Sequence, residues 1–215
     1  MKDLQYEQKK QALIEEITTA FDGVSREGGV SLSEAWVIDD YGSDEERAKA
    51  RKQDTETSWQ EVSDKDIAHG YSCLCFLDEI GFRYYIPAYI VWYLRYIDVN
   101  DSADPNYDSN TFEWLLYGLG SVRSGKLNDF YFSHFKALTL EQSRAIAHFL
   151  VFDEERSDAF AIIREKHRQE EMLKEGFTQK QIDAAWQLAE INRIHAGLAD
   201  NDARRALVKY WGQFL

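Results

Sequence analysis

The side chains that could do chemistry are few, and their spacing decides against most of it. The histidines are His69, His134, His148, His167 and His195, and no two stand in HxxxH or HExxH order, so a zincin-type site is excluded. Cys73 and Cys75 are one residue apart, which is neither the redox CxxC spacing nor, with two thiolates alone, a zinc site. They read as small apolar fillers of a buried segment in a reducing compartment. The loop Asp98 to Asn110 resembles a calcium loop at its first, third and fifth positions, Asp98, Asn100 and Ser102. It has Ala103 where the sharp turn needs glycine and Ser109 where the bidentate glutamate belongs, so it reads as a solvated turn-rich loop. GxSxG and Walker patterns are absent, and Gly118-Leu-Gly120 lacks the third glycine of a dinucleotide fingerprint. No catalytic residue, metal or cofactor is therefore expected. One binding constellation remains: Arg83, Tyr84, Tyr85 and Tyr89 meeting His134, an aromatic pocket with a cation, against the reading of the same tyrosines as core whose hydroxyls reach the surface or a partner.

Those residues fall in or beside the most apolar and aromatic stretch of the chain, Ser72 to Val99, whose only cations are Arg83 and Arg95. From Ile86 to Ile97 only Arg95 is charged. The stretch reads as a helix buried on every side, with Pro87 in its first turn and a buried strand as the rival reading. Arg95 then needs an internal partner, with Asp39, Asp40, Asp54, Glu56 and Asp98 as the candidates, or else it faces an anion site, which would favour an enzyme. The charges at Asp78, Glu79, Arg83 and Arg95 interrupt any membrane span.

Around this stretch the periodicities predict helices. Residues 4–21 are amphipathic through Leu13, Ile17 and Phe21, with Gly23 as a stop. Ser31, Ser43, Ser63, Thr139 and Thr178 each stand three residues before a residue able to complete a cap, Ser63 at the start of the aromatic stretch itself. The helix after Ser43 is polar all round and reads as solvated. Residues 55–62 read as irregular, anchored by Trp59, and Thr111 to Leu119 as a helix or buried strand. Residues 121–126 read as a turn, and 140–152 as a helix whose stripe continues to about Lys174. A last helix from Asp202 carries Leu207, Tyr210, Trp211 and Phe214. The fold class is all-α, a single compact multi-helix domain around the aromatic helix, with a minor strand contribution expected near 82–86 or 127–135. Residues 1–152 form an acidic N-terminal part and aromatic core; 153–215 add C-terminal helices to the same domain.

Composition sets the class of partner. The chain of 215 residues is 44% hydrophobic and 14% aromatic, enough for a core. Its net charge of −13 argues against nucleic acid, which needs a basic face, and is compatible with a basic protein partner. The acidity is uneven, with 17 acids against 9 bases in residues 1–70. MKDLQYEQKK has no apolar signal core, so the expected location is the cytoplasm, with no membrane association.

Three blocks carry a resemblance. Asp54-Thr-Glu-Thr-Ser-Trp59, the Phe-Leu-Asp…Gly-Phe-Arg-Tyr-Tyr-Ile-Pro-Ala-Tyr run from Phe76 to Tyr89, and Leu138 to Leu150 resemble an uncharacterised bacterial family, the domain of unknown function numbered 6714. The second block is the specific one. The resemblance spans roughly residues 32–152 and implies no assigned activity, so it carries over no site residue. The reading is a non-catalytic protein-interaction module that binds a basic partner, in its most specific form an immunity-like protein covering a basic toxin. The alternative is a small-molecule binder or enzyme at the Arg83–Tyr–His134 pocket.

Overall fold

The computed structural model describes residues 4–99, 104–121, 126–195 and 201–215. Ten α-helices and no strand occur among them: α1 (Leu4–Ala20), α2 (Leu32–Asp39), α3 (Asp44–Arg51), α4 (Asp64–His69), α5 (Glu79–Tyr96), α6 (Ser109–Leu116), α7 (Lys126–Phe135), α8 (Leu140–Lys174), α9 (Gln179–His195) and α10 (Asp202–Lys209). The segments 82–86 and 127–135, where a strand contribution was expected, are both helical.

Helix α5 is the axis. Thirteen of its eighteen residues are buried, so it is enclosed by its neighbours rather than amphipathic. Complete burial of Phe82, Ile86, Ile90 and Leu94 contributes roughly 1.5–3 kcal/mol each. Helices α1, α4, α6 and α7 pack on it, and α1 and α10 pack on α8. Trp211 closes the bottom of the core, its indole N–H donating to Leu119 O at 2.7 Å. One continuous apolar cluster joins α1 to α10 through α5, across the point where α8 passes residue 152 without a break.

Helix α5 begins earlier than Pro87 suggests. Asp78 is its cap, accepting from Gly81 N at 2.8 Å and from Val30 N at 3.0 Å, so one carboxylate fastens the 23–30 loop to the helix. Glycine is required on both sides of that seam. A Cβ on Gly81 would lie 2.4 Å from Val30 O, and one on Gly29 would lie 2.6 Å from Gly81 N. Pro87 therefore sits mid-helix, where it lacks the N–H that would bond the Arg83 carbonyl. Ser63 caps the separate short helix α4 rather than α5.

Other expectations shift in the same way. Helix α3 is polar but not merely solvated, since Arg47 and Arg51 both reach Glu34 of α2. Trp59 is the buried anchor of a 3-10 turn, donating to Phe21 O at 2.9 Å. Thr111 to Leu116 is helical. The segment 140–152 and the stripe that follows it are one helix of 35 residues, about 52 Å long. Tyr210, with φ −148° and ψ −52°, breaks α10 before Trp211, so Trp211 to Phe214 form a 3-10 turn instead of extending it. The turn expected at 121–126 lies largely outside the described residues.

Arg95 is not enclosed. Its side chain is 54% exposed and pairs with Asp64 at 3.1 Å. It stands in the last turn of α5, where the helix emerges, and none of the five candidate carboxylates is its partner. Asp54 is taken by Ser33, Glu56 by Arg26, and Asp98 by Lys10.

Candidate functional site

The loop fastened by Asp78 carries Arg26 towards the first half of α5, and there it closes a polar triangle. Arg26 Nη1 donates to Glu56 Oε1 at 2.5 Å and to Tyr85 Oη at 2.6 Å; Tyr85 donates to the same Glu56 oxygen at 2.6 Å. Arg26 Nη2 also donates to Asp54 O at 2.8 Å. Asp54 turns its carboxylate the other way, accepting from Ser33 N and Ser33 Oγ at 2.9 and 2.6 Å. Burial lowers the guanidinium pKa, but the Tyr85 hydrogen bond and the charges of Glu56 and Asp54 outweigh it and leave the value raised. Burial, reinforced by the hydrogen bond to Glu56, pushes the Tyr85 phenol far up, so it stays a donor. Tyr84 stacks edge-on against Tyr85 and lies under Arg26. Burial, then the Glu56 charge, raises its pKa to about 12; its hydroxyl is buried with no hydrogen-bond partner.

Above this triangle is an open pocket of about 260 Å³ lined by Asp54, Glu56, Glu61, Asp66 and Tyr85. It is smaller than the ~300–1,000 Å³ of cofactor and drug-sized sites. Its carboxylates are held in place: Glu61 accepts from Thr57 N at 2.7 Å, and Asp66 from Ser63 Oγ at 2.5 Å. The cation nearest its floor, Arg26, is already committed to Glu56, so the pocket presents a net negative field.

The five residues read as a binding constellation take separate places. Tyr85 belongs to the triangle, with Tyr84 beside it. Tyr89, one turn on, donates to Gly70 O at 2.5 Å and is wholly inside. His134 is buried against Phe82 and Phe130, with Nε2 2.8 Å from Leu77 O and Nδ1 2.7 Å from Phe130 O, so both ring nitrogens face carbonyl oxygens rather than a ligand. Arg83 is half-buried, with its Nε buried and unpartnered.

A second polar centre gathers at the other end of α5. Asp98 accepts from Lys10 Nζ at 2.7 Å and Tyr6 Oη at 3.1 Å, with Arg156 Nε 3.7 Å away. Burial raises the Asp98 pKa, but Lys10 and Tyr6 more than reverse this and leave it low, so the carboxylate stays ionised. Beside it, Tyr93 donates to the buried Asp153, whose pKa is raised by burial. A groove of about 620 Å³ runs over Tyr6, Phe152, Ala159, Phe160 and Ile163 at this end. No cluster of three or more His, Cys, Asp or Glu suited to a metal occurs among the described residues, and Cys73 and Cys75 are not disulfide-bonded. No helix among them is long and apolar enough to cross a membrane.

Neither polar centre could be read from the chain, because their members lie far apart: 59 residues from Arg26 to Tyr85 and 88 from Lys10 to Asp98. The one signal was the acidic block at Asp54–Trp59, which supplies Asp54 and Glu56.

A family model described as a family of unknown function, DUF6714, matches residues 9–165, from within α1 to the middle of α8. It extends further at both ends than the three sequence blocks. No curated protein and no solved structure matches the chain.

Proposed function

We propose that this chain, which belongs to the family of unknown function DUF6714, is a non-catalytic interaction module of the cytoplasm that binds a basic protein partner. The observation that carries the reading is the pocket walled by Asp54, Glu56, Glu61 and Asp66, whose lining includes no lysine or arginine and whose neighbour Arg26 is already paired with Glu56. A lysine or arginine side chain entering it meets fixed carboxylates, and its field adds to that of an N-terminal third holding 17 acids against 9 bases. The triangle fixes Glu56, while Ser33, Thr57 and Ser63 hold the carboxylates of Asp54, Glu61 and Asp66. Paired acid and base groups poised for proton transfer, which an enzyme would need, are not what this arrangement offers: Tyr85 is held as a donor and Arg26 as a cation.

The test is calorimetric titration with a lysine-rich peptide at physiological salt. Binding should weaken at least about tenfold in Glu61→Gln/Asp66→Asn and stay within about twofold in Glu175→Gln/Asp183→Asn, which removes two acids elsewhere. Equal losses in both variants, or no binding by the parent protein, would overturn the reading.

A further inference from the structure

Helix α8 stays tied to the body as far as Asp158, through Arg204 of α10, and beyond it the helix is largely exposed. Ala159, Ile163, Lys166, Glu170, Leu173 and Phe177 are all exposed. Their spacing is four, three, four, three, four, the seam spacing of a helix that packs along its length on another helix. Helix α9 does not cover this seam. The half-buried positions Glu165, Gln169 and Met172 lie off the seam, about a third of a turn round α8 from it. Lys166 and Glu170 make no ion pair within the chain among the described residues.

We propose that the seam from Ala159 to Phe177 is an interface between two copies of this chain, packed antiparallel about a two-fold axis at residue 168. The seam is complementary to its own reverse. About that axis Lys166 faces Glu170 of the partner copy, Ile163 faces Leu173, and the small Ala159 faces the large Phe177, each contact occurring twice as a two-fold interface requires. A parallel pairing would instead set Lys166 on Lys166 and Glu170 on Glu170. The end of the seam has a receptacle. Ala159 lies in the groove of about 620 Å³ floored by Tyr6, Phe152, Phe160 and Ile163. Phe177, held just past the end of α8 by its N–H to Met172 O at 3.0 Å, is placed to fill that groove on the second copy. This surface is separate from the acidic pocket, so either can fail without the other.

Sedimentation equilibrium on the full chain, from about 1 μM to about 1 mM, tests it. The parent protein should form a concentration-dependent dimer. Lys166→Glu and Glu170→Lys should each raise the dimer dissociation constant at least about tenfold, because each sets like charges together twice. An equimolar mixture of the two should restore dimerisation, since every facing pair is then opposite in sign. Phe177→Ser should weaken the dimer while leaving the circular dichroism spectrum unchanged, which separates lost association from lost folding. A parent protein that stays monomeric, a dimer indifferent to either charge reversal, or a mixture that fails to reassociate would each overturn the proposal.

Discussion

Replacing Arg26 by methionine should be among the most damaging single changes of charge in this protein. The side chains of Arg26 and Glu56 are only 15% and 13% exposed. Without the guanidinium, the Glu56 carboxylate keeps one phenol donor and no counter-charge, and Asp54 O loses its donor. Breaking a buried pair from one side costs ~3–5 kcal/mol, chiefly through the charge left behind. For a chain of this length that is a fall in Tm of roughly 6–20 °C. Arg95→Met is the control: its pair with Asp64 is half in water and should be worth ~0.2–1 kcal/mol, a shift of a few degrees at most. Both variants should be melted by calorimetry at neutral pH beside the double variant Arg26→Met/Glu56→Gln, which removes the orphaned charge and should recover part of the loss. Equal small shifts for Arg26→Met and Arg95→Met, or a double variant worse than the sum of its singles, would refute the account of the triangle.

The buried acid at the other end of α5 gives a pH signature. Because burial raises the Asp153 pKa, the stability tied to its neutral form is complete below the ordinary carboxylate range and lost as pH rises through the raised value. Asp153→Asn should therefore stabilise against urea near pH 7 and gain nothing near pH 3.5; a larger gain in acid would contradict this. Gly81→Ala should cost ~1–3 kcal/mol in urea unfolding, because its Cβ would drive into Val30 O; an unchanged midpoint would show that the loop is not fixed there. Trp211→Ala should cost ~3–5 kcal/mol in the same assay, since it empties a fully buried site and orphans Leu119 O, and a loss under 1 kcal/mol would mean the last turn is not part of the core.

The helices were legible because their signals are local. Capping residues such as Ser43, Thr139 and Thr178, and the apolar run of α5, each depend on neighbours within one or two turns. The errors arose where tertiary contact overrides local preference. Pro87 suits a first turn, but Asp78 starts α5 eight residues earlier because the same carboxylate also holds the 23–30 loop. Arg95 stands among apolar residues in sequence yet reaches water, because enclosure of a helix ends where its neighbours end. The triangle was invisible because charge pairing across 30 and 59 residues leaves no pattern in one sequence. His134 and Tyr89 were flagged by type, and their types are equally good at closing a core.

The most direct test of the central claim is where a basic partner lands. Backbone amide shifts should be followed by NMR while a lysine-rich peptide is titrated in at neutral pH and physiological salt. The account predicts saturable shifts concentrated at Gln53 to Val62, Ser63 to Asp66 and Tyr85. Shifts scattered evenly over the acidic surface, or gathered along α8 with the pocket silent, would contradict it.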